Sequence, residues 1–378
     1  MKTIVSLAIA VSLGACSIFS SDETEQPAEL VDFDEEFSLV RNWTVNVGDG
    51  QGRRYNRLQP IIAGDTIFAA SENGEVNAID KNTGEVLWRE RTGETITGGV
   101  GVGGNMVLLG TRDARVFALE QSSGDLLWET SVSSEVLAAP ASDGRVVAVQ
   151  TIDGRLIALD PVDGRQRWVY QTTVPALSLR GNSKPVISGN LVIAGFSSGM
   201  VSGVDVGSGA LVWEERIAVP QGRYDIERII DIDGDPIIDG NVVYMGSYQG
   251  NLMGLDVQSG RIVWGLPGST YHNLALGLGN IYWVDNFSHV YAVQNNTERT
   301  VWENDSLRLR RTTGPATFNN FVAVADFEGY LHILSQIDGR FVARTRVDRN
   351  GVRAPIVTEG RRIYVYGNSG RLSAYSLP

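Results

Sequence analysis

The sequence holds a single cysteine in 378 residues and only three histidines. A lone thiol excludes an internal disulfide and a multi-cysteine zinc site. No stretch of eighteen consecutive apolar residues occurs, so no helix long enough to cross a bilayer is expected. Cations are in the minority, 32 Lys and Arg against 44 Asp and Glu, for a net charge of −12. A nucleic acid needs clustered cations against its phosphates and is not expected as a partner. There is no G-x-x-x-x-G-K-[ST] phosphate loop. Gly99, Gly101 and Gly104 match G-x-G-x-x-G, yet no helical pattern follows them. Asp231-Ile232-Asp233-Gly234-Asp235 opens like a calcium loop, but Pro236 and Val242 stand where Gly and Glu are required. His272, His289 and His332 lack metal-ligand spacing. No catalytic group, metal or cofactor is expected.

Glycine, in contrast, is plentiful: 43 residues, about 11% against a usual ~7%, which favours an all-β chain of many tight turns. The N-terminus is distinctive. Lys2 precedes a mostly apolar run from Ile4 to Leu13, the length of a signal peptide rather than a membrane span. Leu13-Gly14-Ala15-Cys16 resembles the bacterial lipobox, in which the preceding segment is removed and the cysteine is acylated. Residues 1–15 are therefore expected as signal peptide and Cys16 as the lipid attachment site. Ser17 stands where lipoproteins of the inner membrane typically carry Asp, so the resemblance implies the periplasmic face of the outer membrane. Residues 17 to 38 carry eight acids and no base. With Cys16 they are expected to form a lipidated acidic tether, 16–38, because such a stretch cannot bury enough apolar surface to order itself. It also accounts for most of the net charge.

One phrase then recurs. Ala78-Ile79-Asp80, Thr83-Gly84 and Trp88 return as Ala118-Leu119-Glu120, Ser123-Gly124 and Trp128, and again ending at Trp168, Trp213 and Trp264. Weaker copies end at Trp302 and at Ala343. In five units an opening proline (Pro60, Pro140, Pro185, Pro236, Pro315) lies 28 residues before the closing position, and Val100 and Leu274 hold that place in the other two complete copies. Proline at the first residue of a strand forfeits no ladder bond. Each unit reads as four short strands, A to D, with the tryptophan on D. Such units at ~40-residue spacing indicate propeller blades. The eighth copy reaches Ala374 and lacks its D strand, whereas Trp43 precedes Pro60 as a D strand should. The fold expected is all-β, an eight-bladed β-propeller of four-stranded antiparallel blades over residues 39–378, the N-terminal strand closing the last blade. Constant phase makes the tryptophans packing plates between blades rather than ligand stackers.

Length varies in one connection only, from strand D to the next strand A. From the closing position to the next opening one the steps are 17, 12, 12, 17, 23, 10, 13 and 12 residues. Apart from the closure link after Trp43, the long ones are neighbours, after Trp168 and Trp213, and emerge on one face. They hold Leu177-Ser178-Leu179-Arg180 and Arg228-Ile229-Ile230-Asp231-Ile232-Asp233. Apolar anchors ringed by charges suit a protein interface.

The phrase A-[IL]-D-x-x-[TS]-G-x-x-x-W resembles the repeat of pyrroloquinoline quinone enzymes. A quinoprotein dehydrogenase would need cofactor and calcium ligands over the central channel, and the vicinal cysteines that many carry are impossible here. The lipobox, acidic tether and eight blades together resemble the BamB family, lipoproteins of the outer-membrane β-barrel assembly (BAM) machinery. Local similarity covers Gly48-Asp49-Gly50 through Tyr55, Leu58 and Pro60, the run at 177–181, and Asp231-Ile232-Asp233. The resemblance implies a non-catalytic scaffold that docks on the periplasmic POTRA domains of BamA, touches other BAM subunits indirectly, and supports insertion of outer-membrane proteins. It assigns partner binding to Leu177, Leu179, Arg180, Asp231 and Asp233. Nascent outer-membrane proteins are a further expected partner, held at blade edges by β-augmentation. Ala343, in place of one tryptophan, and Glu298, in place of one turn glycine, depart from the pattern.

Overall fold

A computed structural model of the chain describes residues 25–54, 56–179 and 181–378. The signal peptide and Cys16 lie outside the described residues, as do Tyr55 and Arg180. Thirty-two strands, numbered β1 to β32 along the chain, form eight four-stranded antiparallel sheets. Seven are local meanders: β2–β5 within residues 61–91, β6–β9 within 96–131, β10–β13 within 141–171, β14–β17 within 186–216, β18–β21 within 237–267, β22–β25 within 275–304 and β26–β29 within 316–346. The eighth joins both ends of the chain, in the order β1-β32-β31-β30. In it Trp43 of β1 (Val40–Asn46) pairs with Ala374 of β32 (Arg371–Ser376). The propeller and its closure are as the repeat implied. Because every blade is a meander, D–A connections and B–C turns share one face, and A–B turns and C–D corners share the other.

The recurring phrase has a mechanical reason. In the corner Asp80-Lys81-Asn82-Thr83-Gly84, the Asp80 carboxylate accepts the N–H groups of Asn82 (2.9 Å) and Thr83 (2.8 Å) and the Thr83 hydroxyl (3.0 Å). Those bonds hold its pKa below the usual carboxylate value. Asp205 and Asp256 organise their corners in the same way. The closing glycine lies against the tryptophan of the preceding blade. At Gly209 (φ +71°), a Cβ would come within 2.6 Å of the Trp168 ring. The indole N–H donates to the same corner: Trp168 to Val206 O at 2.8 Å, Trp213 to Val257 O at 3.0 Å and Trp43 to Lys81 O at 3.1 Å. Each tryptophan thus staples one blade to the next by ring packing and one directed bond. Where Glu298 replaces the glycine, Asn296 takes the left-handed conformation (φ +60°). Trp264 then donates to Thr297 O, 2.6 Å away.

Trp283, off phase in the repeat, is a buried strand aromatic stacked 4.4 Å from Tyr291.

The acidic stretch departs from expectation. From Ala28 onward it lies as a strap along the outer edge of β29 (Phe341–Arg346), the strand in which Ala343 stands for tryptophan. Arg310 and Arg344 donate to the carbonyls of Ala28 and Val31, each at 2.9 Å. The Glu36 N–H donates to Val342 O at 2.9 Å. Phe33 packs 5.5 Å from Phe341 and Phe37 5.1 Å from Phe321. Phe37 and Leu39 join the core cluster that contains Ala343. Blade eight has no C–D corner to receive an indole, since the chain's two ends meet there. The strap supplies the missing apolar cover. Its acids are partly neutralised by Arg308 with Glu25 (2.7 Å) and by the Arg340–Glu36 pair.

Candidate docking face

The two long connections, residues 172–185 and 217–236, lie side by side. An extended segment at 230–235 is fixed where Tyr248 N–H donates to Asp231 O at 2.8 Å. Successive side chains of an extended segment point to opposite sides. Ile230 and Ile232 accordingly point inward and are buried, Ile232 within the cluster of Ile193 and Met245. Asp231 and Asp233 point the other way, toward the first loop. The Asp231 carboxylate faces the N–H of Leu179 and accepts that of Ile232 at 3.0 Å. Gly181 lies so close over Asp233 that a Cβ there would meet its Oδ1 at 2.4 Å. Lys184 N–H donates to Asp235 Oδ1 at 2.9 Å.

The acids therefore do not form an exposed rim. Asp231 is 1% and Asp233 5% exposed, and the first loop covers them. Burial, reinforced by the neighbouring Asp233 carboxylate, pushes Asp231 up to about 9. Burial also raises Asp233, which the Arg57 guanidinium pulls back to about 6. Two carboxyls this close cannot both ionise, and the pair retains a proton on Asp231 at neutral pH. Arg57 comes from the closure link after Trp43 and donates to Tyr271 O at 2.8 Å. Burial, helped by that guanidinium charge, holds His272 neutral, at about 3.

On the outer surface Leu177 is 48% exposed, and Leu179 is half-buried. The structure adds two residues that the sequence reading passed over. Tyr224 and Ile226, each 69% exposed, flank the start of a short 3-10 turn, Asp225–Arg228. Two large apolar residues two apart after Gln221-Gly222 carried that signal.

Beside these loops, a cavity of about 280 Å³ at the channel mouth is lined by Arg57, Lys184, Asp233, Asp235 and Asn273 among others. The donors do not fit a calcium-bound quinone. The two carboxylates that line the cavity are already matched by protein groups: Asp235 accepts from the Lys184 N–H at 2.9 Å and from the Asn273 amide at 3.3 Å, and Asp233 faces the Arg57 guanidinium. No three His, Cys, Asp or Glu side chains converge anywhere among the described residues.

Comparison with known proteins is consistent in direction. Residues 72–304 and 286–377 match the family model described as outer membrane protein assembly factor BamB. The Pseudomonas aeruginosa protein of that name is 53% identical over 98% of this chain and 97% of its own length. Its Kangiella koreensis counterpart is 41% identical over 93% and 90%. The crystal structure of BamB from Moraxella catarrhalis superposes with a TM-score of 0.82 at 28% identity, covering 89% of this chain and 99% of that one. A quinohemoprotein alcohol dehydrogenase from Comamonas testosteroni gives a TM-score of 0.71 at 13% identity, a likeness of fold alone.

Proposed function

The chain belongs to the BamB family of outer membrane protein assembly factors, and on that premise we propose that it is a non-catalytic lipoprotein scaffold. Acyl chains on Cys16 hold it at the periplasmic face of the outer membrane. The long-loop face docks on the POTRA domains of BamA and so supports insertion of outer-membrane proteins. The observation that carries this reading is the pairing of the two long loops. Leu177 stands exposed on a loop whose backbone at 179 and 181 is braced from beneath by Asp231 and Asp233. In this arrangement Leu177 and Leu179 enter an apolar recess of the partner and Arg180 contributes a charge-assisted contact. Asp231 and Asp233 act through the loop, as positioning residues.

Co-purification with BamA from solubilised outer membranes tests this. Leu177→Glu should reduce recovered BamA about tenfold or more with an unchanged melting temperature, while Val162→Glu on the opposite face should leave recovery intact. Equal recovery by both variants would move the docking site elsewhere. Cys16→Ala should shift the protein to the soluble periplasmic fraction, and retention in the membrane would refute the anchor.

A further inference from the structure

Two to three blades round the ring from the paired loops, the same face carries a second arrangement that docking on POTRA domains leaves unused. Phe287 and Phe327, 52% and 40% exposed, are the only exposed phenylalanines among the described residues. Each occupies the B–C turn of its blade, the sixth and the seventh. The intervening connection, residues 305–315, ties the two turns together: Leu309 N–H donates to Phe287 O at 2.7 Å and Phe327 N–H to Arg310 O at 3.2 Å. That connection is cationic, with Arg308, Arg310 and Arg311. Arg310 is buried against Asp326 and Glu328 and stacks on Phe327 at 5.3 Å. Arg311 is exposed, with no carboxylate within ion-pair distance among the described residues, and Asp305 is the exposed acid of the connection.

The strap meets the propeller at this spot. Glu25 pairs with Arg308, and Ala28 N–H donates to Arg308 O at 2.9 Å. Eight residues separate Glu25 from Cys16, so a lipid on Cys16 can stand no more than roughly 30 Å from Glu25 even with the chain fully extended. Aromatic rings beside an arginine are what the bilayer–water interface accepts: the ring enters the headgroup region and the cation stays with the phosphates.

We infer that the rim of blades six and seven is a membrane-contact surface whose occupant is the phospholipid bilayer itself, with Phe287 and Phe327 seated in the interface and Arg311 toward lipid phosphate. The inference rests on the lipid-anchor reading of Cys16 and goes beyond it. A short tether alone would let the propeller tumble, whereas this contact fixes which edge faces the membrane.

The test uses the full lipoprotein, in which acylation occupies the native cysteine. Phe287→Cys, Phe327→Cys, Tyr224→Cys and Val162→Cys variants each carry an environment-sensitive fluorophore. They are reconstituted on vesicles of phosphatidylethanolamine and phosphatidylglycerol containing spin-labelled lipid. The expected result is emission at 287 and 327 quenched about twofold or more, with 224 and 162 unaffected. Flotation of the protein with the vesicles but equal quenching at all four positions, or none at any, would overturn the membrane contact while leaving the anchor standing. Failure to float would overturn both.

Discussion

At the residue scale, the buried pair Asp231 and Asp233 has a measurable signature. Asp231 keeps in the folded state a proton that the unfolded chain releases, from about pH 4 to its raised value of about 9. Wherever the folded state holds the extra proton, stability falls as pH rises, so this carboxyl weakens the fold progressively across that window. Asp231→Asn reproduces the neutral form, with an oxygen for the Leu179 N–H and an amide for Asp233. The variant's melting temperature should gain on the wild type between pH 5 and pH 8, and a difference independent of pH would show that Asp231 is ionised. Trp168 offers a second test. Its ring is 7% exposed and its N–H is spent on Val206 O. Trp168→Ala should cost about 3–5 kcal/mol in urea unfolding. Trp168→Phe should lose in addition to packing the directed bond, about 1 kcal/mol. The tryptophans were legible in the sequence because each must meet the next blade's corner, closed by glycine in all but one case, at fixed phase. The burial of Asp231 and Asp233 was not, because Ile-Asp-Ile-Asp reads as a half-exposed strand until another loop is laid over its polar side.

The strap belongs to the scale of the element. Six of the acids counted as tether lie between Glu25 and Glu36, and their density hid the phenylalanines that dock the segment. What it covers is tertiary: a hole at Ala343, created by a blade whose last corner is split between two chain ends. No local periodicity could announce it. The polar side of the contact is also tertiary. His332 is fully buried and neutral, since desolvation lowers its pKa. Its Nδ1 accepts from Arg344 at 3.1 Å, and its other ring nitrogen lies 3.0 Å from Asp326, which Arg310 also binds. Arg310 and Arg344 are thereby oriented for the strap's carbonyls. Replacing Phe33 and Phe37 by Ser should cost the local closed state about 1–3 kcal/mol, read as roughly tenfold or faster amide exchange in β29. The other blades serve as internal controls. Unchanged exchange in β29 would mean that the strap does not hold its edge. The same cover bears on β-augmentation, because it occupies the outer edge of blade seven at Val342.

For the whole molecule, the decisive contact joins residues more than three hundred apart: the side chains of Asn42 and Ser376 meet at 3.2 Å, and Thr44 and Ser373 at 2.9 Å. Removal of everything before residue 47 takes away β1 and the strap together. Blade eight then keeps three strands, with Gly84 of blade one left without the Trp43 ring. Such a chain should lose its single sharp unfolding transition, first in blades seven, eight and one, as followed by hydrogen exchange. Retention of one cooperative transition would mean that closure is dispensable. The architecture and its closure could be read from spacing because eight near-identical units leave one solution for an orphan tryptophan. The pattern of loop lengths likewise located the paired loops, although not which of their side chains face outward.

The joint between β1 and β32 also makes chain completeness a structural quantity. Ribosomal synthesis delivers β1 before every other strand and β32 after all of them. A molecule cut short by even its final eight residues forfeits β32 and leaves β1 and β31 with unsatisfied flanks at once. Unpaired flanks of this kind invite aggregation and proteolysis. The wheel thereby ties the protection of β31, and the seating of the first strand made, to delivery of the last one.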